Sequence, residues 1–132
     1  MTALTRDRNT PWRRGEDYGY DVAGGAQIFA GALVVLNATG YAEPGSTATG
    51  LKPAGVAKEQ IDNSGGADGD ADVVVRRGVF QLENDGSIDR THIGSSAYIV
   101  DDQTVAATDG GATRSAAGTI EDVDVDGVWV RI

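Results

Sequence analysis

The residues able to do chemistry are few and poorly grouped. The single histidine, His92, has Asp89 and Ser95 near it. Acyl-transfer chemistry needs a serine hydroxyl on one imidazole nitrogen and a carboxylate on the other, and no nucleophile motif surrounds these three. His92 is expected to be a surface or capping residue. Asp122-Val123-Asp124-Val125-Asp126-Gly127 matches the opening of a calcium-binding EF-hand loop. That loop also needs a bidentate glutamate at its twelfth position, which this sequence lacks, and the intervening valines suit a strand face. Asp122, Asp124 and Asp126 are therefore only weak metal candidates. The stretch from Asp62 to Asp72 contains Gly65, Gly66 and Gly69 but no Lys followed by Ser or Thr. Asp68, Asp70 and Asp72 would oppose a phosphate, so the segment reads as a solvated hairpin tip. Twenty acids make paired carboxylates commonplace, while eight scattered aromatics do not suggest a sugar cleft. With no cysteine, thiolate chemistry and disulfides are excluded. The expectation is no catalytic site, no cofactor and no metal.

The elements around these residues are short. Gly, Asp, Asn, Ser and Thr cluster at 37–40, 43–50, 62–72, 84–89 and 108–115, leaving strand-sized apolar segments between them. Val128, Val130 and Ile132 alternate with Trp129 and Arg131, as does the run from Glu121 to Val125. Asp126-Gly127 reads as the hairpin turn between them. Val73 to Leu82 reads as one long or bulged strand interrupted at Gly78. The fold class is all-β, a small barrel or sandwich.

One strand pattern is written twice. The first copy runs through Ile28, Leu33 to Asn37, Ala54 to Ala57 and Val73 to Arg76, and the second through Ile93, Tyr98 to Asp101, Ala117 to Ile120 and Val128 to Arg131. Asn37 to Gly55 spans 18 positions and Asp101 to Gly118 spans 17, so two similar strand units are expected.

Length and composition set the scale. The 132 residues suit one domain burying about two-thirds of its unfolded surface. Its core must be built mainly from 14 Val and 18 Ala, so burial against neighbours is expected to supplement modest intrinsic stability. The net charge of −9 and pI near 4.3 argue against nucleic acid. No apolar run reaches the length of a membrane span or a secretory signal, so a cytoplasmic origin is expected. Charge is also polarised: residues 1–14 carry net +3 from Arg6, Arg8, Arg13 and Arg14 against Asp7, leaving −12 on the rest. Trp12, Tyr18 and Tyr20 lie in the same region, and Arg, Trp and Tyr are the commonest interface anchors. Residues 1–20 thus read as a basic, aromatic arm that orders on a partner, and 21–132 as the acidic β domain.

The ordered series Gly31-Ala-Leu-Val-Val35, Ala54-Gly-Val-Ala57, Val73 to Leu82, His92 to Asp102, Ala116 to Val123 and Val128 to Ile132 resembles the capsid cement or head decoration proteins of tailed bacteriophages. Gly78-Val79-Phe80 and Gly94 to Tyr98 are similar to two elements of that family. The resemblance covers about residues 24–132. It implies a compact β domain, β-tulip-like in form, with no catalytic residues. It further implies a homotrimer on the outer surface of the virion, bound where major capsid protein subunits meet on the expanded head. Arg6, Arg8, Arg13 and Arg14, with Trp12, Tyr18 and Tyr20 as apolar anchors, are the expected contacts to that shell. A carbohydrate-binding or adhesion module, with Trp129 facing solvent, is the alternative from another class.

Overall fold

Period-two burial organises the chain. In the strand Asp72–Arg76, Val73 and Val75 are buried while Asp72, Val74 and Arg76 are exposed, the alternation of a sheet with one face on a core. A computed structural model describes residues 2–9 and 15–132. In chain order the strands are β1 (Asp17–Asp21), β2 (Gln27–Ile28), β3 (Leu33–Leu36), β4 (Ala42–Pro44), β5 (Lys52–Ala57), β6 (Ile61–Asp62), β7 (Asp72–Arg76), β8 (Val79–Asn84), β9 (Ser96–Ile99), β10 (Thr104–Ala106), β11 (Ala116–Asp124) and β12 (Gly127–Arg131). The architecture is all-β, with one short 3-10 turn over Arg90–His92.

The strands form two five-stranded units of the same connectivity. In the second unit, β10-β8-β12-β11-β9 close into a barrel, sealed by a parallel pairing of β8 with β10. In the first, the order is β1-β7-β5-β3-β4, and a parallel bridge from Val22 to Ala42 brings the last strand back to the first. Taken in chain order, the first strand of each unit pairs with the fifth, the fifth with the fourth, the fourth with the second and the second with the third. Both fourth strands carry an irregularity at the same place, beside Gly55 and Gly118. β2 and β6 form a small extra ladder found only in the first unit, whose connection from fourth to fifth strand is longer.

Several sequence expectations are corrected. The duplication holds, but each unit gains a strand at its start, β1 and β8, that the sequence pattern did not include. Val34 pairs with Gly55 and Ala97 with Gly118, so the counterpart of Asn37 is Val100, one residue away from Asp101. Val73 to Leu82 is two strands, β7 and β8, one in each unit, and the break at Arg77-Gly78 is the junction between units. The last hairpin turns at Val125-Asp126, because Asp124 is already paired with Gly127. The arm ends before residue 17, since Tyr18 and Tyr20 belong to β1 and face Val75 and Val73 across the ladder.

The segment Asp62 to Asp72 is also not a solvated tip throughout. Asn63 is 4% exposed, and its amide nitrogen donates to the carbonyls of Val22, Ala23 and Ala67. Gly24 N–H reaches Asp68 and Gly69 N–H reaches the Val22 carbonyl, so the loop is tied down over the β1 to β2 connection. Side-chain capture of several backbone carbonyls by one buried amide satisfies groups that would otherwise be orphaned.

Two cores result, and β3 serves both. Val34 joins Val22, Ile28, Ala42, Ala54, Val73 and Val75 inside the first unit. Its neighbours Leu33 and Val35 point the other way, into a cluster with Leu82, Ala97, Ile99, Val105, Ile120, Val128 and Val130 of the second. The outer face of β3 is thus the inner lining of the other unit. Polar bonds secure the junction: Leu33 N–H to the Asp102 carbonyl at 2.8 Å, Thr47 hydroxyl to the Val100 carbonyl at 2.7 Å, and Ser115 hydroxyl to the Ala48 carbonyl at 2.7 Å.

Candidate interaction surfaces

The basic arm is described over residues 2–9, where every residue is exposed, including Arg6, Arg8 and Leu4. Trp12, Arg13 and Arg14, the remaining arm residues picked from sequence, lie outside the described residues. Tyr18 and Tyr20 are half-buried on β1, their rings stacked with centroids 6.3 Å apart. Arg77, from the junction between units, places its guanidinium 5.1 Å from the Tyr18 ring centre and bonds the Tyr20 hydroxyl at 3.3 Å. Its Nε is shielded and has no hydrogen-bond partner among the described residues. The cation–π contact fixes Arg77 and rigidifies the two tyrosines. These tyrosines therefore pack on the first core, and Arg77, unnoticed in sequence because it sits inside a Val-rich run, is the residue that organises them.

On the outside of the same strands, Asp17 accepts from Arg76 Nε at 3.1 Å and Lys58 Nζ at 3.0 Å. These two bonds hold the Asp17 carboxyl below its ordinary value. The strand-ending arginine of the second unit, Arg131, instead meets Glu121 on β11 at 2.8 Å. Each terminal arginine is thus neutralised by a carboxylate on a different neighbouring strand.

His92 is a capping residue. Asp89 caps the 3-10 turn through the Thr91 N–H, and the Asp89 N–H donates back to His92 Nδ1 at 3.0 Å. Bonds from Thr91 lower the Asp89 carboxyl. Ser95 is held separately, its N–H on the His92 carbonyl.

Of the three aspartates of the last hairpin, Asp124 organises the turn. Asp124 accepts the N–H groups of Asp126 and Gly127 and the Trp129 indole N–H at 3.0 Å, while Asp122 accepts the Val123 N–H. The Trp129 bond is the leading cause that lowers the Asp124 carboxyl. Among the described residues no group of three or more His, Cys, Asp or Glu side chains is placed to hold a metal ion. Trp129 is half-buried with its polar edge committed to Asp124, which leaves only part of the ring for a glycan to stack on. No described helix is long and apolar enough to cross a membrane.

No family model, curated protein or solved structure matches this chain.

Proposed function

We propose that the protein is a structural virion component that binds the outer surface of the expanded bacteriophage head and clamps neighbouring major capsid subunits. It acts by binding rather than catalysis, as a homotrimer on the shell. The observation that carries this reading is the polarised chain: an exposed segment bearing Arg6 and Arg8 ahead of a duplicated, strongly acidic β body. The resemblance of the ordered strand series to head decoration proteins supplies the kind of surface it would hold.

Packed DNA pushes a shell outward, and a clamp adds interface area that must break before the lattice opens. A protein that binds only the expanded lattice stabilises it by about RT ln(1 + [L]/Kd) per site. An arm and a body engaging adjacent subunits raise each other's effective concentration.

Co-sedimentation with heads lacking the protein, in expanded and unexpanded forms, tests the reading. Saturable pelleting at a fixed ratio on expanded heads alone is expected, and removal of residues 2–14 should weaken it and flatten its salt dependence. Absence of pelleting at low salt would dismiss the proposal.

A further inference from the structure

Four aspartates of this chain precede glycine: Asp68, Asp85, Asp109 and Asp126. An Asp-Gly bond can rearrange without an enzyme, because the glycine nitrogen can attack the aspartate side-chain carbon with no Cβ on the glycine to hinder it. The reaction needs that nitrogen free and the carboxyl over it. At three of the four bonds the fold withholds this. Gly69 N–H is held by the Val22 carbonyl at 3.0 Å, and Asp68 is turned toward the Gly24 N–H at 2.7 Å. Gly86 N–H is held by the Asn84 side chain at 2.8 Å. Gly127 is buried, with its N–H on Asp124 at 3.1 Å.

The Asp109 to Gly110 bond, in the loop joining β10 to β11, differs. Residues 108–113 are all exposed, and Gly110 N–H has only a long contact of 3.4 Å with the Thr108 hydroxyl. Asp109 Oδ1 accepts the Gly111 N–H at 3.2 Å, which folds the carboxyl back over the intervening peptide. The carbonyl of that peptide, belonging to Asp109, accepts the Thr113 N–H at 2.9 Å and the Arg114 N–H at 3.0 Å. Two hydrogen bonds on the oxygen polarise the amide and make the N–H at its other end more acidic.

The Arg114 guanidinium lies against Gly110, where a Cβ would stand 3.2 Å from its Cζ and 3.3 Å from its Nε. That Nε is shielded and has no hydrogen-bond partner among the described residues, while Nη1 holds the Thr108 carbonyl at 3.1 Å. A fixed cation beside the nitrogen favours its anion and the oxyanion formed on attack. The loop is also strained: Gly110, Gly111 and Ala112 have φ of +64°, +74° and +67°, and Ala112 carries a Cβ in that left-handed region.

We infer that the Asp109 to Gly110 bond is a self-modification site, converted to isoaspartate on the folded protein ahead of the other Asp-Gly bonds. The Gly110 nitrogen bonds to Asp109 Cγ. Its proton and the hydroxyl of the carboxylic acid leave as water, closing a succinimide ring. Water then opens the ring at the main-chain carbonyl, so the chain runs on through the side-chain carbon and the former main-chain carbonyl becomes the free carboxylate. Thr113 and Arg114 lose their acceptor in this product. The next residue, Ser115, ties the second unit to the first by donating to the Ala48 carbonyl and accepting the Leu51 N–H, so the altered loop loosens the junction.

Isoaspartate accumulation in the full chain at neutral pH and body temperature tests this. It is read peptide by peptide, by electron-transfer fragmentation and by methyl labelling with an isoaspartyl methyltransferase. In the folded protein, the Asp109 peptide should gain isoaspartate several-fold faster than the peptides of Asp68, Asp85 and Asp126, whereas in urea the four rates should converge. Arg114→Gln should slow the folded reaction several-fold and leave the rate in urea unchanged. Asp109→Glu should abolish the signal from this loop, and in aged wild type the Leu51 amide should exchange faster while β7 keeps its protection. Equal rates at all four bonds of the folded chain, a faster site elsewhere, or an Arg114→Gln variant no slower than wild type would overturn the site. No heads are present, so the outcome is independent of the capsid reading.

Discussion

Gly55 and Gly118 occupy the same place in the two units, each pressed against the backbone carbonyl of the arginine that ends its unit's fifth strand. A Cβ on Gly55 would stand 2.5 Å from the Arg76 carbonyl oxygen, and one on Gly118 would collide with that of Arg131. The irregular register beside each glycine is what brings the backbones so close.

Gly118→Ala should therefore destabilise the fold by about 1–3 kcal/mol, the usual cost of forcing extra atoms into a packed site. The obstacle is backbone, so side-chain rearrangement cannot relieve it. Urea unfolding followed by circular dichroism measures the loss; a midpoint equal to wild type would show that β12 shifts freely. Gly25→Ala at an exposed turn, where space is open, provides a contrast governed by its φ of +82° alone.

Replacing Asn63 by Ala removes the donor for three carbonyls. With that side chain almost fully buried, a loss of about 1–3 kcal/mol is expected. Hydrogen exchange should localise the change: the Gly24, Gly25 and Gly69 amides should lose protection while β12 keeps it. Uniform loss across both units would contradict a local anchor.

Acid should open the last hairpin in a way Trp129 can report. The carboxyl of Asp124 lies below its ordinary value of 3.8 because it accepts the Trp129 indole and two turn N–H groups. A carboxylate depressed in the folded state adds stability that is present above 3.8 and disappears as pH falls through the lowered value. In a Trp12→Phe background, Trp129 fluorescence should shift with a midpoint below 3.8, and Asp124→Asn should abolish that transition. A midpoint above 3.8 would mean the indole bond does not favour the ionised form.

Asp17 should contribute to the same acid limit through cationic partners in place of neutral ones. Its carboxylate is lowered by Arg76 first and Lys58 second, so this contribution too fades only below 3.8. Asp17→Asn should reduce the fall in thermal midpoint between neutral pH and pH values below 3.8, with a small effect at neutral pH because the pair is largely exposed. Equal slopes in wild type and variant would discount the network.

Much of this architecture was legible from local pattern. Val73 and Val75, Val128 and Val130, and the Ala-Gly pairs at 54–55 and 117–118 announced short strands and a duplication, because period-two burial and close-approach glycines leave marks on single residues. Other features left no such mark. Tyr18 and Tyr20 looked like arm anchors because the polar residues around them hide a strand whose ladder partner, β7, lies some fifty residues away. Asp126-Gly127 looked like the turn because that dipeptide favours one, yet pairing of Asp124 with Gly127 sets the turn one residue earlier. Asn63 read as loop because nothing local indicates that three carbonyls converge on its amide.

By itself, the sequence determined the all-β class, the repeat, the acidic body with its basic leading segment, and the poverty of reactive groups. These follow from composition and from periodicity within a few residues. Tertiary structure alone decided that the repeats share a strand order closed by a parallel first-to-third contact, and that Leu33 and Val35 line the other unit's core. Their fate depends on which distant backbone lies opposite, and a pairing register shifted by one residue would turn every side chain to the other face.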